Sequence, residues 1–356
     1  MKHLACIALA MAAGIGAAAP SATAGAAAAR HTVQAGESIQ EAVDAAKSGD
    51  TITVMPGTYR ENVLITKRLT LRGWGPQTVL MPPQAPAPQA VRAGAVCSQA
   101  DTGICVMGTP EQTVDRVTIR SLTVSGFKRN GLWASYTDRL TVERVISEKN
   151  GTWGIAQERS TRGAFRENTA RDNAESGIFI ANTVEREGGA TDTLGAVVRH
   201  NTMTGNRIGV TARRVRNLSI QDNTLTGNCG GVFVVGDEGE PGAGAMSVRG
   251  NLIHANNKFC RGNSRLPDIQ GVGIVLTGAE ETTVRGNSIR DNVGASPLSG
   301  GILLFKSFVG AQNSDNLIKD NTVLGNKPAD LADQGTGTGN TFLGNRCQVS
   351  QPAGMC

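Results

Sequence analysis

Apolar residues recur along most of this chain in short alternating runs, and asparagine residues separate one run from the next. Between residues 218 and 235 the runs are LSIQD, TLTG and GVFVV, interrupted at Asn223 and Asn228. A period of two with many β-branched residues predicts short strands. The apolar positions of successive runs form three files, which are Val198, Ile220, Val248, Val284 and Ile318; Met203, Leu225, Ile253, Ile289 and Val323; and Ile178, Val210, Val232, Ile274 and Ile302. The pattern therefore predicts three short strands with inward-facing apolar residues in each repeat.

The asparagines themselves form an internal repeat. At seven places one asparagine follows another by five residues, namely Asn168/Asn173, Asn201/Asn206, Asn223/Asn228, Asn251/Asn256, Asn287/Asn292, Asn321/Asn326 and Asn340/Asn345. A unit of roughly 20 residues cannot bury its own core and must stack on copies of itself. We expect the asparagines to form the bends, because asparagine tolerates a left-handed backbone, and to bond to the same amide one coil away. The predicted fold is a single-domain, all-β, right-handed parallel β-helix, with about 4.8 Å between coils.

A short helix is predicted ahead of the first coil. Residues 38–41 have the capping-box sequence Ser-Ile-Gln-Glu, and apolar residues on one stripe predict a helix over 38–47 that ends before Gly49. We expect this helix to cover the N-terminal end of the β-helix, where strand edges would otherwise be exposed.

The helix, the strand-like segments Gly49–Ile65 and Leu69–Arg72, and the asparagine repeats together resemble the pectin-lyase-like superfamily. The resemblance is to secreted bacterial proteins with right-handed β-helix repeats, and it covers about Thr32 to Arg346. It implies a carbohydrate-active protein, since the superfamily includes enzymes that act on acidic polysaccharides.

The motifs of the best-known enzymes of that superfamily are largely missing. Gly57-Thr-Tyr-Arg-Glu61 matches the G-x-Y-x-E of pectin esterases, but the paired catalytic aspartates are absent, and we interpret the motif as structural. The sequence also lacks the Asp-Asp pair of polygalacturonases, the Asp-Pro-His of alginate epimerases, and the Trp-Ile-Asp-His and Arg-x-Pro-x-x-Arg of pectate lyases. Whether the protein is an enzyme therefore stays open; if it is one, a polysaccharide lyase-like enzyme is expected.

The N-terminal residues have the composition of a secretory signal. An Ala-rich apolar run from Leu4 to Ala19 precedes the small-x-small site Ala22-Thr-Ala24, and the run is too short to span a membrane. We expect a signal peptide over 1–24, a β-helix domain over 25–346 and a C-terminal tail over 347–356. The expected protein is secreted and extracellular, with neither a membrane span nor a nucleic-acid partner.

Six cysteines remain once Cys6 is removed with the signal, an even number for an oxidising compartment. Locality favours three bridges, Cys97–Cys105, Cys229–Cys260 and Cys347–Cys356. A metal site is not predicted, because the cysteines lack CxxC spacing and neighbouring histidines.

One outward-facing file carries the strongest functional signal. Five of six consecutive coils place a cation two residues before the first asparagine, at Arg166, Arg199, Arg249, Arg285 and Lys319, with Gln221 between them. Stacked like charges repel unless an anion lies across them, and guanidinium groups pair bidentately with carboxylates. The alternative is an ordinary solvated strand face in a chain whose net charge is +5. In pectate-lyase-like enzymes loops wall a groove on the first-strand sheet, so the resemblance implies that this file floors a groove for an acidic polysaccharide.

Two further features leave alternatives open. Outward residues of the third strand include Trp133, Phe179, Phe233 and Phe305, which form either an open apolar site for a sugar face, a small apolar metabolite or a partner chain, or a stripe covered by loops. The acidic loop Gly236–Glu240 offers oxygen ligands for calcium, although no cofactor is otherwise expected. The functional hypotheses are a protein that binds or cleaves (by β-elimination) an acidic polysaccharide, a noncatalytic adhesion module, and an enzyme for a small apolar metabolite. The oligomeric state and the identity of the polymer stay open.

Overall fold

The computed structural model describes residues 28–84, 101–183, 188–264, 266–335 and 337–356 of the chain. In these ranges nearly all regular structure is parallel strand, and three long sheets form the faces of a β-helix. Each coil contributes a strand to sheet 1, then to sheet 2, then to sheet 3. The predicted fold class is confirmed. The predicted signal peptide, 1–24, lies outside the described residues.

The strands are short and stack in chain order. Sheet 1 contains Arg30–Val33, Thr51–Val54, Thr70–Gly73, Thr118–Arg120, Thr141–Glu143, Ala164–Arg166, Thr191–Arg199, Val215–Gln221, Ser247–Arg249, Thr283–Arg285, Leu317–Lys319 and Thr341–Leu343, with Ala243–Gly244 and Ala279–Glu280 at its side. Sheet 2 contains Gly57–Arg60, Thr78–Met81, Thr123–Ser125, Ile146–Glu148, Thr169–Arg171, Thr202–Thr204, Thr224–Thr226, Leu252–His254, Ser288–Arg290 and Thr322–Leu324. Sheet 3 contains Val63–Ile65, Ile104–Met107, Leu132–Ser135, Ile155–Glu158, Ser176–Ala181, Ile208–Arg213, Gly230–Val235, Val272–Thr277, Gly300–Leu304, Leu331–Asp333 and Ser350–Gln351. A small additional sheet pairs Val114–Asp115 with Thr137–Asp138.

The three apolar files predicted from the sequence lie in register inside the coils. In sheet 1 each member is the strand partner of the next from Val198 to Ile318. Sheets 2 and 3 align their files in the same way. All of these side chains are fully buried. Burying one such side chain stabilises the fold by about 1.5–3 kcal/mol, so the stacked files supply its hydrophobic core.

Asparagine amides form two hydrogen-bonded ladders along the corners on either side of sheet 2. Asn223 shows the pattern: its Nδ2 donates to Oδ1 of Asn251 and to the carbonyl of Val198, both at 2.9 Å, and its backbone N–H donates to the same Oδ1 at 3.0 Å. The first ladder runs through Asn168, Asn201, Asn223, Asn251, Asn287, Asn321 and Asn345. The second runs through Asn150, Asn173, Asn206, Asn228, Asn256, Asn292 and Asn326. The predicted amide-to-amide bonding is confirmed.

The prediction that asparagine itself adopts the left-handed backbone is wrong. The positive φ falls on the preceding residue, for example 53° at His200, 55° at Asp222 and 64° at Gly250, and on none of the ladder asparagines. The preceding residue makes the bend, which turns the asparagine side chain into the interior. There the amide bonds to neighbouring coils instead of to water.

The register of the seventh predicted pair, Asn340/Asn345, is also wrong. Asn345 accepts from Asn321 and so continues the first ladder, whereas Asn340 accepts from Asn316, which belongs to neither ladder. The reason is strand pairing: Phe342 lies opposite Ile318, which places Asn345 where Asn321 lies one coil earlier.

The helix Ile39–Ala45 covers the N-terminal end as predicted, with Ile39 and Val43 buried. Its first N–H groups are satisfied from the neighbouring coil: Glu61 accepts from the backbone N–H of Ile39 at 2.8 Å and of Gln40 at 3.0 Å. Ser38 is the N-cap, and its Oγ accepts from the backbone N–H of Glu41 at 3.2 Å. The Gly57–Glu61 motif therefore has a structural role here, since its glutamate caps a helix. Within the described ranges no helix has the length and apolar composition to cross a bilayer.

Two of the predicted disulfides, Cys229–Cys260 and Cys347–Cys356, are confirmed. Cys105 is also disulfide-bonded, and its predicted partner Cys97 lies outside the described residues. The C-terminal bridge encloses the strand Ser350–Gln351, which pairs with Leu331–Asp333. The predicted tail 347–356 thus adds a last strand to sheet 3.

We predict that Asn251→Ala destabilises the fold by about 3 kcal/mol. The change removes the acceptor for two donors of Asn223 and the donor that bonds to the carbonyl of Ile220, and each buried polar group left without a partner costs about 1–3 kcal/mol. Urea unfolding followed by circular dichroism measures the loss. The control is Gln221→Ala, which removes an amide from the solvent side of sheet 1. Equal midpoints for the two variants would contradict the ladder's structural role.

We expect the N-terminal strand Arg30–Val33 to be held less firmly at acidic pH, because Asp50 becomes protonated there. Hydrogen bonds donated by His31 and by the backbone N–H groups of Lys47 and Ala29 lower the pKa of Asp50 from 3.8 to about 2. A lowered carboxyl pKa contributes stability that is full above pH 3.8 and is lost as the pH falls towards 2. We predict faster amide exchange in Arg30–Val33 over that pH window, relative to the intrinsic rate at each pH. Asp50→Asn should show the same loss of protection at pH 7, while the exposed Asp44→Asn should not.

Candidate functional site

The structure places the predicted cations on one straight file of the outer face of sheet 1. Strand pairing puts Arg166 beside Arg199, Gln221 beside Arg249, and Arg285 beside Lys319 in consecutive coils. The pairs Arg199–Gln221 and Arg249–Arg285 complete the register. We call this row, Arg166 to Lys319, the cation file.

Most members of the cation file have no internal counter-charge. Among the residues that the structure describes, Arg199, Arg249, Arg285 and Lys319 form no ion pair, and Arg249 and Arg285 are exposed. Arg166 differs, because its Nη2 lies 3.2 Å from Oε2 of Glu143. Arg249, Arg285 and Lys319 lie on consecutive coils and repel one another, and the charges of all four cations remain available to an external anion.

The same row continues towards the N-terminus beyond the predicted residues. Arg72 pairs in register with Arg120, and Arg120 with Glu143. Sequence reasoning missed these two arginines because the asparagine repeat begins only at residue 168. A usable signal was present: Thr-Leu-Arg72 and Thr-Ile-Arg120 repeat the pattern of Thr-Val-Arg285.

The long connections that reach sheet 1 lie on one side of the cation file. Connections of 236–242 and 305–313 leave sheet 3 towards sheet 1, and residues 257–264, 266–271 and 293–299 lie between strands of sheet 2 and sheet 3. They flank sheet 3 on both edges, and a groove over the cation file stays a prediction. Sheet 1 is joined to sheet 2 by two-residue turns such as Gly250-Asn251, so the cation file is open along that edge.

The apolar stripe on sheet 3 is covered. Trp133, Phe179, Phe233 and Phe305 are between 2% and 6% exposed, so they do not form the open apolar site considered from the sequence. Trp153, which the sequence analysis did not single out, stacks on Phe179 with ring centroids 4.3 Å apart and on Trp133 at 5.4 Å. Ile269 and Leu298, from the connections that enter sheet 3, belong to the cluster around Phe233 and Phe305. Loops thus complete a second hydrophobic layer outside the coil.

The comparison with known families agrees with this architecture. Residues 93–191 and 189–355 match the family model described as right handed beta helix region. The chain belongs to this β-helix family. No curated protein sequence matches it at a significant level.

Solved structures of other β-helix proteins share the fold. The A-module of mannuronan C-5 epimerase AlgE6 from Azotobacter vinelandii is similar with a TM-score of 0.60 and 21% identity, over 88% of this chain and 90% of that one. DFA-IIIase from Arthrobacter chlorophenolicus gives a TM-score of 0.59 and 14% identity over 90% and 86% of the two chains. The catalytic domain of a GH87 alpha-1,3-glucanase gives 0.55 and 14% over 94% and 67%. The resemblance drawn from the sequence is confirmed at the level of the fold.

The acidic loop of this β-helix protein uses its first carboxylate internally. Asp237 Oδ2 lies 3.1 Å from Nη1 of the buried Arg214, and Oδ1 accepts from the backbone N–H of Gly239. The described part of the chain contains no group of three or more His, Cys, Asp or Glu side chains placed to hold a metal ion. Calcium binding by 236–240 stays a prediction.

We predict that thinning the cation file stabilises this β-helix protein at low salt. Arg249→Thr with Arg285→Thr removes two repulsions between adjacent strands, Arg249–Arg285 and Arg285–Lys319, and like charges on adjacent strands destabilise by about 0.5 kcal/mol for each pair. The midpoint of thermal unfolding should rise at low salt, and the gain should shrink near 1 M salt, where the Debye length falls to about 3 Å. The matched variant is Arg171→Thr on sheet 2, which removes the ion pair with Glu148 and should give no gain. A gain that is independent of salt would contradict a charge effect.

Proposed function

We propose that this protein is secreted and binds an acidic polysaccharide along the cation file of sheet 1. The observation that carries the proposal is the row of cations without an ion pair, Arg249, Arg285 and Lys319 on consecutive coils and Arg199 beyond Gln221, all held in one register. A fold that keeps like charges side by side without internal partners loses stability unless an external anion neutralises them.

The geometry of the file suits a polymer better than a small anion. Coils lie about 4.8 Å apart, which is comparable to the length of one sugar residue, so a chain running along the axis can place a carboxylate near each coil. Guanidinium groups bind carboxylates through two parallel hydrogen bonds, which adds orientation to charge attraction. Several weak contacts along one strand of polymer then act together.

Other features support an extracellular role among carbohydrates. Two confirmed disulfides are typical of proteins that fold in oxidising compartments. Several solved β-helix proteins with the same fold are carbohydrate enzymes, including a mannuronan C-5 epimerase and an alpha-1,3-glucanase. These proteins support carbohydrate as the ligand class by analogy of fold.

A second candidate function is carbohydrate cleavage on the outer face of sheet 3. The long connections flank that sheet, and it carries the carboxylate of Glu158, which is 3% exposed and accepts from Oγ of Ser135 at 3.2 Å. The guanidinium of Arg159 lies at the same edge and donates to the hydroxyls of Tyr136 and Thr183. A base that removes the proton next to the uronate carboxylate, and a cation that neutralises that carboxylate, are the groups that β-elimination of an acidic sugar requires.

We predict that the protein binds polygalacturonate or alginate and does not bind neutral dextran. The double variant Arg249→Ala/Arg285→Ala should bind the acidic polymers at least tenfold more weakly, because two unpaired cations are removed from the centre of the file. The wild-type affinity should fall steeply as salt shortens the Debye length from about 10 Å at 0.1 M. Isothermal titration against the polymer panel measures both effects.

The matched control is Arg290→Ala/Arg346→Ala, which removes the same charge beside sheet 2 and should retain binding. Equal weakening in both double variants would show attraction to net charge alone and would overturn binding at the file. Ultraviolet absorbance followed in the same samples separates the two candidate functions, because β-elimination creates an unsaturated product and binding does not.

A further inference from the structure

The turn at 74–77 between sheets 1 and 2 is longer than the two-residue turn that precedes it at 55–56, and it projects a tryptophan. Residues 74–77 connect Thr70–Gly73 to Thr78–Met81, whereas two residues suffice in the coils with asparagine ladders. The turn is held in place: the backbone N–H of Trp74 donates to Oγ1 of Thr78 at 3.0 Å, and that of Gly75 donates to the carbonyl of Ser121 at 2.9 Å. The indole of Trp74 is nevertheless 61% exposed.

This turn forms one side of a cleft on the outer face of sheet 1. The cleft has a volume of about 410 Å³ and is lined by Arg72, Trp74, Arg120 and Arg144 together with Gly73, Gly75 and Ser121. Arg72 and Arg120 are strand partners on adjacent coils, and Arg144 follows Glu143 on the next. We call it the Trp74 cleft.

The charge of the Trp74 cleft is mostly uncompensated. Within the described ranges Arg72 and Arg120 form no ion pair, and the Nε of Arg120 is shielded from solvent without a hydrogen-bond acceptor. The strand partner of Arg120 is Glu143, whose carboxylate pairs with Arg144 at 2.8 Å and with Arg166 at 3.2 Å. The residues that line the cleft include three arginines and no carboxylate.

The Trp74 cleft has two energetically unfavourable features, an exposed indole and stacked cations. One class of ligand would relieve both. An anionic pyranose offers an apolar ring face, which stacks on an aromatic ring, and a carboxylate, which a guanidinium binds through two hydrogen bonds. A simple inorganic anion would use the arginines and leave the indole exposed. A neutral sugar would use the indole and leave the arginines unpaired.

We infer that the Trp74 cleft is a subsite for a single uronate residue, with the sugar ring on Trp74 and the carboxylate between Arg72 and Arg120. The inference rests on the proposed function in that the cleft lies at the N-terminal end of the same row as the cation file, where it would fix the position of the acidic polymer. Arg120 and Arg249 are five coils apart along the register, about 24 Å, so a disaccharide cannot contact both.

The test is titration of digalacturonate into the full chain, followed by calorimetry and by tryptophan fluorescence. The wild type should bind digalacturonate and change its fluorescence on binding, and it should not bind maltose. Arg120→Gln and Trp74→Ala should each weaken binding at least tenfold, whereas Trp74→Phe retains an aromatic face and should restore most of it. The matched control is Arg290→Gln, which makes the same charge change on sheet 2, outside the row, and should leave disaccharide binding unchanged.

Three outcomes would overturn the inference. The first is no binding of digalacturonate by a folded wild type. The second is unchanged affinity in Arg120→Gln and Trp74→Ala. The third is equal affinity for sulfate and digalacturonate without dependence on Trp74, which would show a site for anions alone. A different outcome would overturn only the proposed function of the cation file. In that outcome the disaccharide still binds, and Arg249→Ala/Arg285→Ala leaves the affinity for the long polymer unchanged.

Discussion

The buried asparagine ladders are the constraint on which the rest of this molecule depends. Each Oδ1 accepts two hydrogen bonds from the preceding coil, one from a backbone N–H and one from a side-chain amide, as Asn251 does from Asn223. A slip of one residue would leave these groups buried without partners. The ladders therefore fix the register of consecutive coils, and fixed register places equivalent residues in straight files. The apolar core and the cation file follow from the same alignment.

The sequence predicted those features that repeat from coil to coil. The inward files, the strand order and the capping helix depend on local periodicity, which one chain displays many times over. Features that occur once were harder to predict. The shift from Asn340 to Asn345 depends on the pairing of Phe342 with Ile318, and the bend conformation depends on residues such as Asp222 that carry no repeated side chain.

Residues that act through distant contacts escaped sequence reasoning for another physical reason. The burial of Phe233 depends on a loop that returns to the sheet 36 residues later at Ile269, and spacing alone does not show which face such a loop covers. Trp74 and Arg120 are 46 residues apart in the chain and meet only because coils stack. The cation file was predictable because its members repeat. The Trp74 cleft was not, since it is formed at one turn.

Stability and function oppose each other on sheet 1. Unpaired cations such as Arg249 and Arg285 weaken a strand face that neutral β-branched residues would stabilise. The outer face of sheet 3 instead carries two clusters of buried rings. The two faces therefore differ in physical character: sheet 1 presents charge to solvent, and loops cover the aromatic side chains of sheet 3.

A crystal structure of the protein with an acidic oligosaccharide of about eight residues would show directly whether an acidic polysaccharide binds along the cation file. We expect carbohydrate density along the outer face of sheet 1, with carboxylates within hydrogen-bond distance of Arg249 and Arg285. Density that lies along sheet 3 beside the connections at 236–242 and 266–271, with the cation file facing only solvent, would contradict binding along the cation file.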